Sequence, residues 1–542
     1  MSTNLLTLLP SDLGLPAKFS SWRPGQLKAL DRSISSSKRF VAHSMPVGEG
    51  KSLYYIAEAL LTATRACVLT SSKGLQSQLI SDFSAVGLTD MRGRNNYPCH
   101  ISGCQSCEEG QHYRCECDGY EPARNKAMES PLVVTNYSYF MLSYLYGRGL
   151  GNFDLLICDE AHDCPDAICD AMTIEVTFQE ANKINIRLPN TFELEDWHQW
   201  AQSTLDHAEE TLDHLKQTAE ADKLENGKVH PSTAKDLYFW NRAASKAKAI
   251  LNTSGEWVID RTDKGYSLVP VWARDYSKIL FLSIKKIVLV SATMVRKTLD
   301  LLGIKNEEVD FYEYASSFPA MRSPVYIFAP KRSVAGRTGL LRIDHRTPHE
   351  FLTVWVNYID NIIRNRLDRK GLIHTISYDR QQFILNNSEF GSIMIAPKGT
   401  KETLSAIEKF KLSPAPSILI SPAITTGYDF PLTDAEYNIL VKVPFVDTRS
   451  KIMQARQEED DTYGNYITAQ NIVQAHGRSM RSESDQSETF IVDGHMEWFI
   501  KVHRDLFPFW FHRLVKYPSG LPVPPAPLSL SAGQPQPQLT NK

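Results

Sequence analysis

The sequence predicts an α/β chain with two parallel-sheet domains in tandem, on three observations. Short apolar runs alternate with helical stretches over most of its length. One run leads into the glycine-containing turn "GEGKS" (48–52) and then a helix. The strand pattern lapses over residues 172–255, resumes at "KKIVLVSATM" (285–294), and restarts near residue 320 with a second series. Alternation of this kind marks βαβ units and a parallel sheet.

In order, "KRFVAHSMPVGEGKSLYYIAEAL" (38–60) reads as strand, loop and helix, and "RACVLTSS" (65–72) as a buried strand. A cysteine-rich segment follows, poor in core residues. "PLVVTNYSYFM" (131–141) and "FDLLICDEAHD" (153–163) are apolar runs ending in polar residues. Residues 172–255 change period. Leu205, Ala208, Leu212 and Leu215 form a helical stripe, and Leu237, Trp240, Ala244, Ala247 and Leu251 form another, so an inserted antiparallel helical pair is expected. The second domain contributes "SPVYIFA" (323–329), "GLIHTIS" (371–377), "SIMIAP" (392–397), "SILISPA" (417–423), "YNILVKV" (437–443) and "ETFIVD" (488–493). The Pro-rich end predicts a disordered or polyproline-like tail.

The domain plan is therefore 1–91, 123–171 and 256–319 for the first domain, 92–122 for the cysteine segment and 172–255 for the helical insertion. The second domain takes 320–515 and the tail 516–542. No internal repeat of solenoid period is present.

The chain has 542 residues and a formal net charge of −3, which is not the signature of a small basic DNA-binding module but leaves room for a local basic groove. The N-terminus has no basic signal-peptide region, and no apolar run reaches the roughly twenty residues of a spanning helix. A reducing cytoplasmic location without membrane contact is the expectation. There, crowded cysteines point to metal or redox chemistry before disulfides.

"GEGKS" lies where a phosphate loop belongs. Gly48 and Gly50 let backbone N–H groups turn toward phosphate oxygens, Lys51 reaches the β/γ-phosphates of ATP, and Ser52 offers a hydroxyl to Mg²⁺. "DEAH" (159–162) closes an apolar run, placing Asp159 and Glu160 at the ligand-binding edge of a parallel sheet. Asp159 is expected to hold Mg²⁺ and Glu160 to polarise the attacking water. "QAHGRSMR" (474–481) supplies Gln474, Arg478 and Arg481. If helical, the i, i+3 spacing puts both arginines on one face, where they can stabilise charge on a transferring phosphoryl group.

The order "GEGKS", "DEAH", "SAT" (291–293), "TTGYDF" (425–430), "QAHGRSMR" resembles superfamily 2 helicases, and more narrowly the DinG and XPD iron–sulfur helicases. "MPVGEGKS" is similar to that family's Met-Pro phosphate loop, and "RPGQ" (23–26) to its adenine-recognition element, with Gln26 the implied contact. "SSFP" (316–319), "KGLIHTISY" (370–378), "VKVPF" (441–445) and "LFPFW" (506–510) extend the likeness over residues 20–515. The resemblance implies two RecA-like domains and nucleotide contacts from Gly427 and Asp429. Thr426 stands where the family often has Glu. The helical insertion is short for the family's Arch domain, and the compact size resembles phage-encoded members.

Cys99, Cys104, Cys107, Cys115 and Cys117 are five of only nine cysteines. Their density alone suits a structural Zn²⁺, an iron–sulfur cluster or neither. The resemblance implies a [4Fe–4S] cluster held by Cys99, Cys104, Cys107 and Cys117, with Cys115 as competing ligand and Zn²⁺ as the rival metal. Cys67 and Cys158 read as core thiols.

The function implied is an ATP-dependent DNA helicase, a monomer moving 5′→3′ on single-stranded DNA and opening forked duplex, in replication or repair. Its setting is the cytoplasm or nucleoid, or the host cytoplasm for a viral source. Thr70, Ser71 and Thr425 are candidate backbone contacts. The alternative is a DNA-stimulated translocase that remodels nucleoprotein without processive unwinding. Pathway and protein partners are not legible.

Overall fold

The computed structural model describes residues 7–100, 105–110, 119–227, 229–334, 337–424, 430, 432–480 and 485–526. The first domain begins with β1 (Phe40–Ser44), β2 (Ala66–Thr70), β3 (Leu88–Asp90), β4 (Leu132–Asn136) and β5 (Leu155–Asp159). After an insertion carrying β6 (Ile174–Thr177), β7 (Trp257–Thr262) and β8 (Gly265–Pro270), it ends with β9 (Lys286–Ser291) and β10 (Val309–Glu313). Its seven strands run in the order β10-β1-β9-β5-β2-β4-β3, all parallel. β1, β2 and β5 are buried at every position, as strands covered on both faces must be. Because they are parallel, β1 and β5 deliver the phosphate loop and "DEAH" to the same edge.

The second domain holds β11 (Val325–Ile327), a hairpin of β12 (Lys331–Val334) and β13 (Arg337–Leu340), then β14 (Gly371–His374), β15 (Met394–Ile395), β16 (Ile418–Ser421), β17 (Tyr437–Leu440), β18 (Glu488–Ile491) and β19 (Val515–Lys516). Seven of these form a second parallel sheet, β15-β16-β14-β17-β18-β11-β19. Two tandem parallel-sheet α/β domains of RecA-like form are thus the architecture.

The insertion pairs helix Leu194–Asn226 with helix Pro231–Leu251. Ala208 and Leu212 of one stripe pack in a single cluster with Leu237, Trp240, Ala244 and Ala247 of the other. Beneath them lies an antiparallel sheet, β6-β8-β7, which sequence reading did not find. Its outer strands are half-buried, with too few core positions to show a clear period.

The domains share a core. Trp272, Ala292, Val295 and Leu301 of the first cluster with Tyr466, Ile472 and Phe511 of the second. Gln470 Nε2 donates to Thr293 O (2.7 Å), and Trp510 Nε1 to Ala292 O (2.9 Å). These bonds fix the "SAT" segment to the second domain.

The start of the Pro-rich tail, expected to be disordered or polyproline-like, makes contacts with the second domain. Residues 517–526 lie extended against the second domain. Arg366 Nη2 donates to Pro522 O (3.2 Å) and Arg369 Nη2 to Pro525 O (2.9 Å). Both arginines are buried and need acceptors, and an extended proline-rich backbone presents its carbonyls without competing N–H donors. Residues 527–542 lie outside the described residues.

Candidate nucleotide site between the two domains

The phosphate loop, residues 45–50, joins β1 to helix Lys51–Thr62. Gly48 and Gly50 adopt φ of 80° and 68°, the left-handed region that glycine enters without penalty. At Gly50 a side chain is excluded twice, because an added Cβ would also lie 2.5 Å from Gln26 Nε2. Met45, in place of the usual small residue, is fully buried, and its N–H donates to Ser291 O (3.1 Å), tying the loop to β9. Lys51 and Ser52 open the helix, whose N-terminal dipole favours an anion.

Gln26 grips this loop from outside. Its Nε2 donates to Glu49 O (3.0 Å) and Gly50 O (2.8 Å), while its Oε1 accepts from Arg23 N (2.9 Å). Arg23 Nη1 donates to Gly48 O. "RPGQ" therefore holds the outward carbonyls of the loop, and an adenine contact by Gln26 would exchange one of these bonds. Glu49, a carboxylate inside a phosphate loop, is held away from the helix dipole. It is 2% exposed and accepts from Ser317 N (2.7 Å), Ser317 Oγ (2.8 Å) and Ser316 Oγ (3.3 Å). Those serines belong to "SSFP", the connector between the domains.

Asp159 ends β5, nearly buried. Its Oδ2 accepts from Tyr55 Oη (3.1 Å) and its Oδ1 from Glu160 N (3.1 Å), while its backbone carbonyl accepts from Tyr137 Oη (2.8 Å). Burial, and next the charge of Glu160, raise the Asp159 carboxyl to about 7, against the pull of Lys51. A divalent cation would offset the same repulsion. Glu160 takes φ 51°, ψ 49°, a left-handed turn unusual for a glutamate. Sequence reading missed Tyr55. Its signal was the i+4 spacing from Lys51, which stacks the two on one helix face.

From Glu160 a chain of contacts crosses to the second domain. His162 Nδ1 lies 2.7 Å from Ser291 Oγ and 3.4 Å from Glu160 Oε2. His162 Nε2 lies 3.1 Å from Asp163 Oδ1, and the same nitrogen meets the side-chain amide of Gln474. Arg478 Nη2 then donates to Gln474 Oε1 (3.3 Å). Burial would lower the His162 pKa, but Asp163 and Glu160 outweigh it and raise it to about 9.

Of the two arginines expected on one helical face, Arg478 is described and lies beyond the helix end, while Arg481 lies outside the described residues. The helix Tyr463–His476 ends before them, Arg478 lies in the single turn Gly477–Ser479, and Met480 is already extended. At Gly477, just past the helix end, the backbone passes close to the phosphate loop, where a Cβ would lie 2.9 Å from Val47 Cγ2. Arg481, Gly427, Asp429 and Thr425 lie outside the described residues. Thr70 is buried, with its hydroxyl bonded to Ser72 O (3.2 Å), which turns it away from solvent.

In the cysteine segment, Cys107 N donates to Tyr97 O (2.8 Å), so the chain doubles back and sets Cys107 beside the "NYPC" turn that carries Cys99. Tyr97 and Tyr120 meet edge-on at 5.7 Å, closing the segment at its borders. Cys99 is half-buried as a thiol, and Cys107 is buried. Cys104, Cys115 and Cys117 lie outside the described residues. Among the described residues no group of three or more His, Cys, Asp or Glu forms a metal site. Cys67, Cys158, Cys164 and Cys169 are buried thiols in the first-domain core.

A phosphate loop and a carboxylate pair on one sheet edge, faced by arginine from a second RecA-like domain, define a two-domain nucleotide-driven motor. Residues 363–513 match the family described as helicase C-terminal domain, and residues 19–194 the family described as type III restriction enzyme, res subunit. No curated protein matches in sequence. Among solved structures, the chain is similar to an XPD helicase at 14% identity and TM-score 0.57, covering 90% of this chain and 98% of that one. Xpd4 of S. tokodaii is similar at 13% identity and TM-score 0.53, covering 89% and 99%. An XPD in its apo form gives 13%, 0.55, 88% and 97%. Residues 363–513 thus carry a helicase C-terminal domain, the whole chain has the two-domain fold of the XPD helicases, and the protein is an ATP-dependent enzyme. Among the described residues no helix is long and apolar enough to cross a membrane.

Proposed function

We propose that this helicase tracks 5′→3′ along single-stranded DNA and separates forked duplex ahead of it. The observation that supports this best is the contact chain Glu160–His162–Gln474–Arg478. It links Glu160, the proposed water-polarising residue, to the second domain, which supports a coupling of chemistry to domain movement. Lys51 and the loop N–H groups hold the β/γ-phosphates, Glu160 orients the water, and Arg478 and Arg481 face the transferring group. Ser52 and Asp159 would hold Mg²⁺, which supplies charge neutralisation on the phosphates. Gly427 and Asp429 complete the nucleotide contacts. We keep the domain boundaries set out from sequence for this motor, except that the insertion runs on from 255 to Pro270, because β6, β7 and β8 form one sheet beneath its helices.

Strand displacement on substrates bearing only a 5′ or only a 3′ tail tests the direction. Unwinding of the 5′-tailed substrate alone is expected, and unwinding of the 3′-tailed one alone would overturn it. DNA-stimulated ATP hydrolysis without strand separation on either would favour the remodelling translocase.

We further propose that Cys99, Cys104, Cys107 and Cys117, with Cys115 in competition, hold a [4Fe–4S] cluster. The support is the doubling back that sets Cys107 beside the Cys99 turn, in a segment with little core of its own. Such a cluster needs its ligands as thiolates. Anaerobically prepared protein should contain about four irons per chain. Cys99→Ser should lose them, with strand separation falling further than nucleotide binding. Stoichiometric zinc in unoxidised protein would sink the cluster.

A further inference from the structure

Residues 331–346 read "KRSVAGRTGLLRIDHR": five cations, Lys331, Arg332, Arg337, Arg342 and Arg346, against the single acid Asp344, in a chain of net charge −3. None of the nucleotide motifs includes them. The β12–β13 hairpin and the turn after it carry this segment to one side of the second domain. There it faces the helix His495–Val502 across an open groove of about 960 Å³.

Three features give the groove a chemistry. Its acids are already engaged. Asp344 Oδ1 accepts from Arg346 N (2.7 Å) and Thr347 Oγ1 (3.3 Å), and Glu497 pairs with Lys501 (3.0 Å). Among the described residues no acid pairs with Arg332, Arg342 or Arg346. Arg332 lies over the Phe351 ring at 4.3 Å with its Nε buried and without a hydrogen-bond partner. Arg342 and Arg346 are exposed on the rim. Trp498, on the facing helix, is held edge-on by His503 at 5.5 Å yet remains 43% exposed. A large aromatic left in water beside unmatched guanidinium groups suits a ligand that carries both anionic and flat aromatic parts.

We propose that this groove binds the sugar–phosphate backbone of a single nucleic-acid strand, with Arg342 and Arg346 on phosphates and Trp498 under a base. The inference rests on the proposed action on single strands and adds a contact that the helicase motifs do not supply. The groove lies beyond the C-terminal ends of β11 and β18, since Gly494 N donates to Leu341 O (2.7 Å) where the hairpin passes the sheet.

The test is fluorescence anisotropy with a labelled oligothymidylate over a salt series, on the full chain. Arg342→Ala/Arg346→Ala should bind about tenfold more weakly near 0.1 M salt. Its log–log salt slope should be shallower by about 1.4, as two lost phosphate contacts on a single strand require. Arg342→Lys/Arg346→Lys should keep most of the slope, and Trp498→Ala should weaken binding about tenfold with the slope unchanged. ATP hydrolysis without DNA, unchanged in all three, controls for folding. Wild-type affinity and slope in both alanine variants would overturn the groove while leaving single-strand action intact. Failure of the wild type to bind any single strand would overturn the proposed function itself. Displacement of the strand by polyglutamate at equal charge would overturn the assignment to nucleic acid.

Discussion

Lys51→Ala should lose ATP hydrolysis by at least about 10²–10³-fold while the protein stays folded, since removing one preorganised charge donor to a developing anion costs that much in comparable sites. The side chain opens the helix behind the loop and is close enough to Asp159 to draw its pKa down. Its ammonium thus lies between the phosphate cradle and the carboxylate pair, where it compensates charge on both. The fold should survive because the loop is fixed by other groups. Gln26 and Arg23 hold its carbonyls, Met45 N bonds to Ser291 O, and Ser316 and Ser317 hold Glu49. Single-turnover hydrolysis with saturating DNA, beside circular dichroism, measures the two halves of the expectation. Hydrolysis at the wild-type rate in a folded variant would remove Lys51 from the site.

Much of this was legible in sequence, for one physical reason. A parallel sheet buried on both faces writes its strands as continuous apolar runs and puts its chemistry at their carboxyl ends. "VAHS" before the phosphate loop and "LLICD" before "EAH" could be read that way, and β1 and β5 stand where they imply. The half-buried strands β6 and β7 carried no such signal, nor did the two-residue strand β19, whereas "SIMIAP" did announce the equally short β15. Contacts between distant segments were hidden for a different reason. Nothing in "RPGQ" announces that Gln26 bonds to Glu49 and Gly50, because the partners are backbone carbonyls, which every residue has. Glu49 did offer a clue. A carboxylate in a phosphate loop is tolerable only if donors elsewhere hold it, and "SSFP" supplies them. A helix through "QAHGRSMR" is not what forms: the α-helix ends at His476 and a single turn follows, a boundary that spacing on paper does not mark.

That last feature shapes the second large effect. Arg478→Ala should slow hydrolysis by about 10²–10³-fold at saturating ATP and DNA, with nucleotide affinity changed far less. Arginines that face a transferring phosphoryl group from a second domain are worth up to about 10³–10⁵ in rate. The lower figure is expected here because Arg481 would share the role. Arg478 sits in the tight turn after Gly477, pressed toward the phosphate loop by the Gly477–Val47 contact, with Nη2 on Gln474 and its backbone carbonyl accepting from Phe430 N (3.1 Å). Its position thus depends on closure of the two domains rather than on a helix face. An interaction completed only on closure belongs to the transition state, so its loss should lower kcat and kcat/KM together. Gln474→Ala should show a weaker version of the same pattern, since it removes the link between Arg478 and His162 without removing the charge. A rise in KM with kcat preserved in Arg478→Ala would instead make this residue a ground-state contact to ATP.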